Sequence, residues 1–190
     1  MDFSHQNVLE KFRQLYSTEP LLVRAPGRIN LIGEHTDYNN GFVMPAAIDY
    51  GTYFALAPAI DGVTEIFSLK FNETFGLDLD GEISPVKNPS WVNYLLGVIH
   101  QLKQHGRLKP FKCVFGGNIP IGSGLSSSAS VECGFAFALN ELNKLNIDRQ
   151  KLVLMAQWSE HNFVGVKCGI MDQFASMMSK KDHVILLDCR

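Results

Sequence analysis

The sequence predicts an α/β chain of the α+β type, a mixed and largely antiparallel sheet packed against helices. Strand-like apolar runs and long helical patterns alternate only loosely, without the regular βαβ rhythm of a doubly wound parallel sheet. Several short strand patterns follow one another before the first long helical pattern, and Asn39-Asn40-Gly41 between two of them is a tight-turn signal. With 190 residues, 46% of them hydrophobic, the chain is long enough to bury one full core.

Taken in order, residues 4–16 carry Val8, Leu9, Phe12 and Leu15 on one face with Ser4 as cap, a short amphipathic helix. Leu21 to Ala25 is a strand pattern. Pro26 to Gly41 has no clean period and concentrates charge and turn residues, which suits a functional loop held between sheet elements and equally a surface loop without one. Phe42 to Ile48, Thr52 to Ala57 and Val63 to Leu69 read as further strands. Residues 70–90, with Asp78, Asp80, Gly81, Pro85 and Pro89, read as a strand and then a surface connection without chemistry. From Trp91 to Gln104, Val92, Leu95, Leu96, Ile99 and Leu102 recur at helical spacing, with Ser90 as the cap. Trp91 and Tyr94 project from one face of that helix, where they either join the core or stack on a flat ring.

Phe111 to Phe115 reads as a buried strand, and residues 127–145 as a helix with Val131, Phe135, Ala138, Leu139 and Leu142 on one side. Asp148 caps a helix over 149–164 that contains Glu160 and His161. Gly165 to Gly169 breaks it, and Ile170 to Met178 resumes with Asp172 in or near the first turn. His183 to Cys189 reads as a buried strand. No repeat or low-complexity linker interrupts the chain.

A net charge of −2 provides no field to hold nucleic acid or an anionic membrane, so neither is expected as a partner. Cys113, Cys133, Cys168 and Cys189 lack Cys-x-x-Cys spacing and read as reduced cysteines of a cytosolic protein. The start MDFSHQNVLEKF has no signal-peptide pattern and no apolar run approaches the length of a membrane span. A soluble cytoplasmic protein is expected.

The chemistry concentrates between Asn118 and Ser130, where two glycines and four serines, Gly122-Ser123-Gly124-Leu125-Ser126-Ser127-Ser128, separate the buried strand from the helix. Free N–H groups of a helix's first turn converge there, the macrodipole adds partial positive charge, and glycines let a phosphate approach the backbone. A serine-rich cap on an ordinary helix has the same spacing. No Gly-Lys-Ser/Thr ends the loop, so it is not a Walker A site.

Three segments, APGRINLIGEHTDYNNGFVMP, GNIPIGSGLSSSAS and CGIMDQF, follow a family pattern: the chain from about residue 21 to Arg190 resembles the galactokinases, a family of the GHMP small-molecule kinases. The resemblance implies a GHMP N-terminal domain over residues 1–190 that transfers phosphate from ATP to the anomeric hydroxyl of galactose. The loop Gly122 to Ser128 would wrap the ATP phosphates, with Ser128 and Glu160 holding Mg2+, and with Trp91, Tyr94 and Ser68 at the nucleotide. Glu34, His35, Thr36 and Asp37 would bind the sugar, carboxylates being strong acceptors for its hydroxyls, with Gly169 in the opposite wall. Catalysis would rest on Asp172, accepting the sugar's proton, and Arg28, stabilising the phosphoryl charge. Galactokinases are about twice this length, so the resemblance also implies a missing C-terminal half. A non-catalytic galactose and ATP sensor is the alternative. Such transducers lack the serine-alanine step present here as Ser128-Ala129. A kinase for N-acetylgalactosamine tends to differ at Cys168-Gly169-Ile170.

Overall fold

The computed structural model describes residues 3–120 and 122–190. Helix α1 (His5–Leu15) precedes strands β1 (Leu21–Asn30), β2 (Phe42–Val43), β3 (Pro45–Pro58), β4 (Thr64–Ser68) and β5 (Glu73–Leu77). Then come α2 (Asn93–Lys103), β6 (Phe111–Gly117), α3 (Ser127–Asn143), α4 (Arg149–Ser159), α5 (Met171–Met178) and β7 (Leu187–Asp188). The main sheet has the order β1-β3-β6-β4-β5, and only β4 with β6 is parallel, so the mixed, mostly antiparallel sheet is as the sequence predicts.

Strand alternation sends side chains to two cores. Phe54, Leu56, Ile66, Cys113 and Phe115 join the apolar faces of α2, α3 and α4, whereas Ala55, Ala57, Phe67 and Val114 meet Val8 and Phe12 of α1 on the other side. Full burial of Val8 and Phe12 contributes about 1.5–3 kcal/mol each, enough to seat a short helix. Its cap is as predicted: the Ser4 hydroxyl accepts from Gln6 N–H, and the Asn7 side chain accepts from Ser4 N–H. Asp148 likewise accepts from Lys151 N–H at the start of α4.

Five sequence readings change. Strand β1 does not stop at Ala25 but runs to Asn30, because Pro26 lies on a sheet edge, where its missing N–H costs little. The register shifts there, leaving residues 48–50 of β3 bulged, and Arg24 satisfies the freed carbonyls of Ile48 (3.1 Å) and Asp49 (2.8 Å). Phe42 to Ile48 and Thr52 to Ala57 become a two-residue β2 and one unbroken β3 through Gly51, where a Cβ would sit 2.6 Å from the Ala25 carbonyl oxygen. Ser90 makes no side-chain cap; a short 3-10 turn, Ser90–Val92, leads into α2, and Asn93 instead ties the backbone N–H and C=O of Val86 (both 2.9 Å). The helix over 149–164 is α only to Ser159, after which Glu160–Val164 forms a π turn closed by Gly165 at φ 86°. His183 to Cys189 is not a buried strand: only Leu187–Asp188 pairs, with Phe42–Val43, and no layer covers Val184 (50% exposed) or Leu186 (67% exposed).

Candidate active site

The loop before α3 is curled by three left-handed residues, Gly122 (φ 73°), Gly124 (φ 72°) and Ser126 (φ 60°). Glycine makes this conformation available at little cost, and at Ser126 the surroundings must hold it. They do so from β1: Arg28 N–H donates to the Leu125 carbonyl (3.2 Å), and the approach is so close that a Cβ on Gly27 would lie 2.6 Å from that oxygen. Among the described residues, none accepts a hydrogen bond from the backbone N–H groups of residues 123–129. Unpartnered amides at the start of a long helix are anion-binding potential.

Side chains fasten the same loop. The Arg28 guanidinium donates through Nη1 to the Gly124 carbonyl (2.5 Å) and through Nε to Asp172 Oδ1 (2.7 Å). The Ser126 hydroxyl donates to Asp172 Oδ2 (2.7 Å), so the first turn of α5 closes on the loop that β1 supports. The Arg28 and Asp172 side chains keep 14% and 27% of their exposure: the pair is shielded enough to matter and open enough to meet a ligand. Ser130, the last serine of the run, ties α3 to the sheet. Its hydroxyl donates to the Ala25 carbonyl (2.8 Å) and accepts from Thr52 N–H (3.2 Å).

Beside the loop opens a pocket of about 210 Å³, and it brings together Ser68, Trp91, Tyr94, Ser127 and Ser128 from the predicted nucleotide set. Trp91 stacks on Phe71 (6.0 Å, 11°) and donates its indole N–H to Glu73 (3.0 Å). Lys70 and Phe71 also line it. They sit just after β4, where no periodicity marks them. Burial raises the Tyr94 hydroxyl above its ordinary pKa, and the charges of Glu160 and Glu132 add to this.

In the loop between β1 and β2, Glu34 accepts from Asn30 Nδ2 (3.0 Å) and His35 Nδ1 meets the Tyr38 hydroxyl (2.5 Å); both side chains belong to exposed residues. The Thr36 hydroxyl is occupied with the loop itself, reaching the carbonyls of Gly33 (2.7 Å) and Phe42 (2.8 Å). Asp37 lies directly against Gly169, and a Cβ there would overlap its carboxylate. Asp37 and Gly169 are thus brought together, one helical turn before Asp172.

Glu160, on the π turn, is buried, and its Oε2 accepts from Gln173 Nε2 (2.6 Å) and Cys168 Sγ (3.4 Å). Its Oε1 has no hydrogen-bond partner among the described residues. Burial first, and then the Glu160 charge, push the Cys168 thiol up to about 12. No cluster of three His, Cys, Asp or Glu able to hold a metal occurs among the described residues. Magnesium often takes only one or two protein oxygens and keeps its waters or phosphate ligands, so the free Glu160 oxygen fits it. Ser128 is in the pocket wall, and no hydrogen bond joins it to Glu160 among the described residues.

A sequence model for the GHMP kinases N terminal domain matches residues 93–180, the stretch holding the pocket helix, the loop and Asp172. A second, the galactokinase galactose-binding signature, matches residues 10–58. The fold is therefore that of a GHMP-kinase N-terminal domain, and within that class the matched signature and the similar proteins are those of galactokinases. Similar proteins include a galactokinase of Chloroflexus aggregans, 42% identical over 99% of this chain and 48% of its own length. Another, from Bacillus subtilis, is 49% identical over 87% of this chain and 43% of its own. The crystal structure of Lactococcus lactis galactokinase complexed with galactose superposes at TM-score 0.85 with 38% identity, covering 97% of this chain and 49% of that one. Methanococcus jannaschii mevalonate kinase shares the fold at TM-score 0.77 and 20% identity, covering 92% of this chain and 55% of that one. The chain spans about half the length of the curated relatives it matches. No helix among the described residues is long and apolar enough to cross a membrane.

Proposed function

We propose that this chain is the N-terminal half of an ATP-dependent galactokinase, which phosphorylates the anomeric hydroxyl of galactose to galactose 1-phosphate. The observation that carries the reading is the junction of Arg28, Gly124, Ser126 and Asp172. It joins one charged pair to a loop of unpartnered amides. Gly122 to Ser128 hold the ATP phosphates through backbone N–H groups and hydroxyls, and Trp91, Tyr94 and Ser68 line the pocket for the nucleotide. Glu34, His35 and Asp37 accept from or donate to galactose hydroxyls, and Gly169 leaves the space against which Asp37 rests. Thr36 shapes that loop from behind.

Asp172 accepts the proton of the anomeric hydroxyl as it attacks the γ-phosphoryl group. Arg28 orients that carboxylate and turns its remaining donors toward charge developing on the phosphoryl oxygens. Mg2+ would be held by Glu160 Oε1 with Ser128, and when bound it supplies charge neutralisation between phosphates. The site of action is the cytoplasm, and the remaining half of a galactokinase-length protein is the expected intramolecular partner. The test is ADP release on adding galactose and ATP, measured on this chain and on the full-length protein carrying it. Release independent of galactose, or none from the full-length protein, rejects the reading.

A further inference from the structure

Resting on the proposal that Glu160 ligates a divalent cation, we infer that Gln173 is the positioning residue of that carboxylate, clamping one of its oxygens so that the other points to the ion. Glu160 opens a π turn, a rare backbone geometry that is frequent at functional sites. Among the described residues its carboxylate has only two hydrogen-bond donors, Gln173 Nε2 at 2.6 Å and the softer Cys168 Sγ at 3.4 Å, and both act on Oε2. Oε1 is left without a partner among them. Gln173 is fully buried and has no surface role to explain it.

Glu132 of α3, fully buried, has no hydrogen-bond partner on either carboxyl oxygen, so among these residues the Gln173 amide bonds Glu160 and not Glu132. The neighbour of Gln173 in sequence is Asp172, whose own carboxylate faces Arg28 and Ser126. The first turn of α5 therefore sets both acids of the centre: Asp172 directly, Glu160 through Gln173.

Outer-sphere hydrogen bonds of this kind govern metal affinity by about 10–100-fold. The experiment is Mn2+ binding followed by electron paramagnetic resonance on the full-length protein, with and without ADP, for the parent, Gln173→Met and Glu160→Gln. Methionine keeps the length and fills the space without a donor. The inference expects both variants to lose about tenfold or more in Mn2+ affinity, while galactose affinity and ADP affinity in EDTA stay within about twofold. If Glu160→Gln loses Mn2+ but Gln173→Met does not, the positioning role is wrong and the metal ligand stands. If Glu160→Gln binds Mn2+ as the parent does, the ligand assignment falls and the inference with it. Should Gln173→Met fail to fold, Gln173→Asn, whose amide stops a methylene short, takes its place with the same expected loss. Parent-like Mn2+ affinity in the asparagine variant overturns the inference.

Discussion

Asp172 receives donors on both of its oxygens, so replacing it changes charge and proton acceptance while the surrounding bonds have substitutes. Asp172→Asn is expected to leave galactose and nucleotide affinity in place and to lower turnover by about 10²–10⁴-fold. Turnover within about threefold of the parent would make Asp172 a structural residue. Glu132 supplies a second test. Its carboxyl is pushed well above the ordinary range by burial first and then by the Glu160 charge. The folded state therefore keeps a proton that the unfolded chain releases near about pH 4.3, so this group's contribution is greatest below that pH and declines as pH rises. In metal-free buffer, Glu132→Gln should flatten the fall in denaturation midpoint between about pH 4.5 and 7; an unchanged slope would show that Glu132 does not titrate in that way. At this scale the pairing of Arg28 with Asp172 is legible because both stand in long motifs. Gln173, Lys70 and Phe71 were not legible, since their roles depend on which side chains a turn of helix or a strand end happens to face. Thr36 illustrates the converse: it stands in the motif, and its hydroxyl is consumed by the loop's own carbonyls.

Elements were legible where one local rule decides them. The caps at Ser4 and Asp148 are of this kind, and Asp148→Ala should destabilise the protein by about 1 kcal/mol, read as a shift in denaturation midpoint at unchanged slope. They were illegible where tertiary partners overrule a local signal. Gly51 looks like a break between strands, yet it is glycine because the Ala25 carbonyl passes there. Pro26 looks like a strand end, yet it is tolerated on an edge. The turn before α5 gives a sharper test of the same idea. Gly169→Ala must displace Asp37, so galactose affinity should fall by about tenfold or more, equivalent to about 1.4 kcal/mol, with little change in nucleotide affinity. Equal loss of both would mean that the turn serves the fold rather than the sugar.

The whole molecule carries an uncovered apolar set beside the β2–β7 pair: Leu31, Ile32, Phe42, Val184 and Leu186 are all at least half exposed. The apolar count of His183 to Cys189 predicts a buried strand here, and the burial fails because no second layer lies over these residues. Exposed apolar area of this kind drives association. The 190-residue chain should therefore sediment as a concentration-dependent oligomer; a strictly monomeric chain would show that this face is tolerated in water. The bond from Arg28 to Asp172 spans 144 positions of sequence, and this has a consequence in time. Closing so long a loop is entropically late, and on a ribosome it waits for synthesis itself. A nascent chain that has emerged only as far as α3 already has the glycine loop and the arginine behind it, but no carboxylate to balance that cation. The junction is completed near the end of this stretch of sequence, so a nascent chain that stops at α3 has most of its sheet and lacks the Arg28–Asp172 pair.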